Sequence, residues 1–238
     1  GELSVPGDQE CPLDPSGWLG DENLHFLEDP ERHMLLGEVE RGRLYDSDDW
    51  PGLYVDPSFD DPLVYGRFLV QLVRAKLVRF DVKAKIICGA FCVRKKKAGS
   101  LRLVIDCRRR NRLFKRPPWT PLGSLEGLST VWIEASGAAF EAQEDIKDYF
   151  YRLALDKRLA PYFGLPEIQV SVLISLLAPE EVPESLRSLD PTSMVNPAFA
   201  VMPMGFSWAF FLAQEVHRTF ALRHIEGVTE EHLILERR

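Results

Sequence analysis

Two carboxylates three positions apart, Asp145 and Asp148, lie in the stretch Glu141-Ala-Gln-Glu-Asp-Ile-Lys-Asp-Tyr-Phe-Tyr-Arg-Leu-Ala-Leu155, with aromatic residues directly behind them. A carboxylate at a junction between an extended apolar run and a helical one can hold a hard divalent cation at a fixed position. Acidic residues at such a junction more often satisfy the free N–H groups that begin a helix. The stretch by itself is compatible with both chemistries. A second group of reactive type is the run Arg94-Lys-Lys-Lys-Ala-Gly-Ser100, four consecutive cations suited to contact with phosphates.

The elements that must position these groups follow from hydrophobic spacing. Val64, Phe68, Leu69, Leu72, Val73 and Leu77 recur at three and four, which predicts an amphipathic helix beginning near Pro62. Ile86 to Val93 reads as a buried strand and Leu101 to Asp106 as its partner, with the cationic run as the hairpin loop and Gly99 supplying positive φ. Lys115 to Pro121 contains three prolines and is expected to be extended. Ala138 to Gln143 is expected to lead as a strand into a helix that buries Ile146, Phe150 and Leu153. Val170 to Leu177 and Ala198 to Met202 read as further strands, and Pro203-Met-Gly-Phe-Ser-Trp-Ala209 as a turn. Behind that turn a long helix from about Ser207 to His224 carries Leu212, Ala213, Val216 and Phe220 on one face.

Of 238 residues, 45% are apolar and 27% charged, a globular composition. The formal net charge of −7 conceals strong segregation. Residues 1–61 hold 17 acids against three arginines, a net of −14, while residues 67–116 hold 17 cations against Asp81 and Asp106, a net of +15. A block of one sign is an electrostatic footprint for a polyanion. Residues 1–61 are rich in Asp, Glu, Pro and Gly without a sustained period, so an acidic, partly disordered extension or linker is expected there. No leader of signal-peptide type and no apolar run of membrane-spanning length is present, so an intracellular protein without membrane contact is expected. Cys11, Cys88, Cys92 and Cys107 lack zinc-site spacing and read as reduced thiols, and the five histidines form no ligand constellation.

Three stretches, in order, resemble the reverse transcriptases of retroviruses and long-terminal-repeat retroelements. Arg94 to Asn111, a lysine-rich turn followed by Leu-Arg-Leu-Val-Ile-Asp-Cys-Arg-Arg-Arg-Asn, is similar to the family's fingers hairpin. Asp145-Ile-Lys-Asp-Tyr-Phe150 is similar to its first palm motif, and Pro203 to Ala209 with Gln214 to its Pro-Phe-Gly or Pro-Gln-Gly turn and the helix behind it. The resemblance covers roughly residues 62–225. It implies an α+β fold of fingers hairpin and partial palm over residues 62–238. It also implies Mg²⁺-dependent, template-directed deoxynucleotidyl transfer, with an RNA or DNA template-primer and deoxynucleoside triphosphates as partners. Asp145 and the carbonyl of Ile146 would hold Mg²⁺, while Asp148 reads as a helix cap outside the metal site. Arg102 and one of Lys95, Lys96 and Lys97 would hold the incoming triphosphate. Phe150 would lie under the sugar and exclude a 2′-hydroxyl, Met204 would contact the nucleotide, and Gly205 would allow close backbone approach. Asp106, Arg108 and Asn111 match a fingers network read as structural.

The sequence departs from the family in one respect that bears on activity. The second palm motif, an aromatic-x-Asp-Asp hairpin, does not follow the helix after Gly205, and there is no aspartate after Gln214. One carboxylate does not position two metals, so this chain by itself is expected to be inactive, as a piece of a longer retroelement polyprotein or a decayed copy. The rival expectation is a non-catalytic nucleic-acid-binding protein derived from a retroelement, in which the basic block contacts phosphates and Asp145 is structural.

Overall fold

The computed structural model describes residues 2–6, 11–47, 50–96, 99–123, 125–129, 131–132, 137 and 145–234. Among these, the chain is a mixed α+β structure with small, mainly antiparallel sheets. In order, the elements are β1 (Glu2–Leu3), α1 (Asp21–Glu28), α2 (Pro30–His33), α3 (Glu38–Tyr45), α4 (Pro62–Arg74), β2 (Val78–Arg79), β3 (Gly89–Arg94) and β4 (Ser100–Asp106). They continue with α5 (Arg108–Asn111), α6 (Leu125–Ser129), β5 (Ile168–Gln169), α7 (Val170–Ser175), α8 (Glu184–Arg187), β6 (Met194–Val195), β7 (Ala198–Phe199) and α9 (Ala209–His224).

The helix α4 starts where its sequence directs. Asp61 accepts hydrogen bonds from the N–H groups of Leu63 at 2.8 Å and Val64 at 3.3 Å. Pro62 occupies a first-turn position that needs no donor. The apolar stripe of the helix, Tyr65, Phe68, Leu69 and Leu72, is buried. The hairpin of β3 and β4 pairs from Gly89 with Asp106 to Arg94 with Leu101, and Gly99 at its turn has φ of +76°. Leu103 and Ile105 point from β4 into the core. Two further antiparallel pairs form: β2 with β7, which joins the segments on either side of the hairpin, and β5 with β6, both after it in the chain.

Three expectations are corrected. Residues 170–175 form the helix α7 rather than a strand. A short apolar run suits either state, and here burial of Val170 and Leu173 in the core beside α4 selects the helix. The helix expected behind Asp145 is a single 3₁₀ turn, Tyr149–Arg152. Asp148 sits in the left-handed region at φ 56° and ψ 32°. That conformation interrupts helical propagation. Ile146, expected to be buried, is 42% exposed, while Leu153 is fully buried.

The described part of residues 1–61 does not behave as a linker. Leu19, Leu27, Met34 and Leu35 are buried in the common core. The N–H of Leu36 donates to the Leu113 carbonyl at 2.9 Å, and the N–H of Lys115 donates to the Met34 carbonyl at 2.8 Å. Irregularly spaced apolar residues give no periodic signal, yet each fills space against the body. The strand expected at 138–143 lies outside the described residues, as does Lys97. All four cysteines are free, with Cys88 and Cys107 buried and Cys11 exposed. Among the described residues no helix is long and apolar enough to cross a membrane.

Candidate functional site

The hairpin, the segment after Asp145 and the turn before α9 meet at one open cleft of about 650 Å³. The hairpin contributes Lys95 and Arg102, the central segment Asp145 to Tyr151, and the turn and helix Met204, Gln214 and His217. Lys95, Arg102, Asp145, Ile146, Phe150 and Met204, widely separated along the chain, therefore line a common space. Lys96 is exposed beside Lys95, and Gly205 follows Met204 at the rim without lining the cleft.

Each wall has an identifiable support. Gly205 has φ of +102°, and Met204 beside it is 45% exposed. Positive φ favours glycine, so the chain can reverse there and present the Met204 side chain at the cleft. Asn111 holds that turn, donating from Nδ2 to the Gly205 carbonyl at 2.8 Å and accepting from the Ser207 N–H at 3.0 Å. Arg108 pairs with Asp106 at 2.7 Å, and with the hydrogen bonds it donates holds the Asp106 carboxyl below the usual carboxylate range. Hydrogen bonds and a neighbouring cation both favour the charged form. Asp106 and Asn111 thus brace the end of β4 and the turn, in keeping with a structural network. The Tyr149 hydroxyl donates to the Ala213 carbonyl at 2.8 Å, tying the central segment to α9. Its ring meets that of His217 edge-on, with centroids 6.2 Å apart. Burial pushes the phenols of Tyr149 and Tyr151 up to about 12, with the negative charge of Asp148 adding to the rise at Tyr151.

Sequence reasoning reads Asp148 as a helix cap, and its backbone excludes that role: no cap hydrogen bond forms and its Oδ2 is buried without a hydrogen-bond partner. A buried acceptor without a donor in a left-handed residue is an expensive arrangement of the kind found at ligand sites. Its position three residues after Asp145 was the available signal. Ser4, Lys147, Tyr149, Tyr151 and His217 also line the cleft and were not anticipated. Nothing local to those residues distinguishes them from surface or core positions.

The donors present suit one Mg²⁺, which binds through one or two carboxylates together with waters and substrate phosphates. Asp145 and Ile146 are exposed and line the cleft, and Asp148 lines it with its Oδ2 buried and without a hydrogen-bond partner. Among the described residues no cluster of three or more metal-ligating side chains exists.

The basic block is less free than its count suggests. Arg110 is fully buried, donating to the carbonyls of Tyr162 and Asp106 at 2.7 Å each. Arg74, Arg79, Lys85 and Arg108 form ion pairs with Glu181, Asp81, Glu31 and Asp106. The cations that line the cleft are Lys95, Arg102 and Lys147. No protein-family model matches the chain, and no curated protein matches it.

Proposed function

We propose that this chain is the fingers and partial palm of a retroelement reverse transcriptase, and that the cleft receives a template-primer end and a deoxynucleoside triphosphate. The observation that carries the reading is the meeting of Lys95, Arg102, Asp145, Phe150 and Met204 in one cleft, from three stretches widely separated in the chain. Two cations with different donor geometries, an ammonium and a planar guanidinium, complement triphosphate oxygens. Phe150 is half-buried, packs against the core and lines the cleft, where its ring would lie under the sugar. Asp145 and the Ile146 carbonyl would hold Mg²⁺, which supplies neutralisation of phosphate charge and activation of the primer hydroxyl when bound. The residues of the chain orient the nucleotide, exclude the 2′-hydroxyl and counter the phosphate charge. Full catalysis requires carboxylates beyond Asp145, so binding is the property this chain carries by itself.

The test is retention of a labelled template-primer with and without Mg²⁺ and the next correct deoxynucleotide. We expect the nucleotide to slow dissociation, and Arg102→Ala and Asp145→Asn to remove that effect while binary, salt-sensitive binding persists. Equal nucleotide stabilisation in wild type and both variants sinks the assignment. Absence of a third carboxylate at the described cleft favours a second reading, a non-catalytic nucleic-acid-binding protein. In that case the binary complex forms and the nucleotide has no effect in any variant.

A further inference from the structure

Residues 2–4 lie against the candidate triphosphate site. β1 pairs in parallel with β4, Glu2 opposite Ser100 and Leu3 opposite Leu101, so it occupies the free edge of the fingers hairpin. The N–H of Ser4 donates to the Leu101 carbonyl at 2.8 Å. The Ser4 hydroxyl accepts from Lys95 Nζ at 2.5 Å, placing the side chain at the wall of the cleft. Further along, the Leu13 N–H donates to the Arg152 carbonyl and the Leu13 carbonyl accepts from the Ala154 N–H, both at 2.8 Å. There Cys11 and Leu13 share a small pocket with Ile146 and Tyr149, which also wall the cleft. The segment is thus anchored on both sides of the site. Residues 1–14 carry Glu2, Asp8, Glu10 and Asp14 and no lysine or arginine.

We propose that this N-terminal segment is an autoinhibitory strap, which satisfies Lys95 in the absence of ligand and is displaced when phosphates of a nucleotide or nucleic acid enter. The inference rests on the reading of the cleft given above. Its hold is suited to displacement: β1 is two residues long, and an edge strand this short has few ladder hydrogen bonds. A molecule whose competent form is a minor population binds more weakly by that fraction, so releasing the strap tightens binding without any new contact.

Ser4→Pro removes both the N–H to Leu101 and the hydroxyl to Lys95, and Ser4→Ala removes the hydroxyl only. Binding of a fluorescein-labelled single-stranded oligonucleotide is measured by anisotropy, with hydrogen exchange of residues 2–6 reporting whether the segment has left. We expect Ser4→Pro to bind about five- to twentyfold more tightly and Ser4→Ala to fall between it and wild type. Unchanged or weaker binding with the segment released overturns the proposal. So does a segment that stays protected in Ser4→Pro, since a strand that survives the loss of both contacts is not displaceable by ligand. Arg102→Ala in the wild-type background separates the two readings, since Lys95→Ala would also free the strap. If Arg102→Ala leaves binding unchanged, the cleft is not the phosphate site; if it weakens binding while Ser4→Pro has no effect, the site stands and the strap falls.

Discussion

Asn111 holds Gly205 from a position 94 residues earlier in the chain, donating from its side-chain amide to the glycine carbonyl at 2.8 Å. The other end of the same amide accepts the Ser207 N–H at 3.0 Å, so one side chain clamps both arms of the turn that presents Met204. Asn111→Ala removes both bonds, and an expected cost of about 1–2 kcal/mol reflects the partial exposure of the site. In a chain of this size that corresponds to a fall in Tm of about 2–4 °C per kcal/mol, measured by thermal denaturation. Asn111→Asp keeps the acceptor but not the donor and falls between the two.

Gly205→Ala places a side chain on a residue with φ of +102°, where the nearest atom to a new Cβ is the Ile105 carbonyl oxygen at 3.4 Å. The space is adequate and the backbone conformation is not, so destabilisation of about 1–3 kcal/mol is expected from conformation rather than from a clash. Gly205→Asn, a residue that tolerates positive φ better, recovers part of the loss in the same denaturation series.

Arg110 sits in the core without a carboxylate in hydrogen-bonding contact among the described residues, its guanidinium 5.5 Å from the centre of the Phe163 ring. Arg110→Ala leaves the carbonyls of Tyr162 and Asp106 without these donors and opens a cavity, for an expected loss of about 3 kcal/mol or more. Arg110→Met fills the space without donating and costs less than the alanine variant. Equal stability of the alanine variant and wild type in urea denaturation contradicts this account.

Glu215 and Asp106 respond to pH with opposite signs. Burial raises the Glu215 carboxyl, against the opposing pull of Arg218 at 3.7 Å and the hydrogen bond from Asn23 at 2.9 Å. A carboxyl raised in the folded state binds protons more tightly there than when unfolded, so stability increases as pH falls from neutrality through that range. Arg108 holds Asp106 below its unfolded value, so its contribution is present above the unfolded value and is lost as pH falls through the folded one. Glu215→Gln is expected to flatten the stability profile on the mildly acidic side and Asp106→Asn on the strongly acidic side. Unfolding free energies across a pH series check both.

The cleft cations predict a specific salt response. Each phosphate contact removed lowers the slope of log K against log salt by about 0.7 for a single strand. Lys95→Ala and Arg102→Ala should each reduce the slope by about that amount. Arg74→Ala, whose guanidinium is paired with Glu181, should leave it unchanged. Titrations of a single-stranded oligonucleotide at several salt concentrations measure the slopes.

The amino-acid sequence by itself determined the elements whose chemistry is local. Asp61 and Pro62 start α4 and its apolar stripe orients it, the alternation around Gly99 makes the hairpin, and Gly205 makes the turn before α9. These follow from a period, a cap or a dihedral requirement contained in a few neighbouring residues. Only the tertiary structure decided three other matters. Val170–Ser175 is helical because its packing partner is α4, and Leu19, Leu27, Met34 and Leu35 seat the described segment around them on the body because single apolar residues find holes there. Asp148 takes a left-handed conformation that no local pattern demands, and with it the residue lines the cleft, its Oδ2 buried without a hydrogen-bond partner, instead of capping a helix. The meeting of Lys95, Arg102, Asp145 and Met204 has the same origin, since contacts between distant residues depend on which surfaces bury together. Spacing along the chain names the residues, and burial between distant segments assembles them.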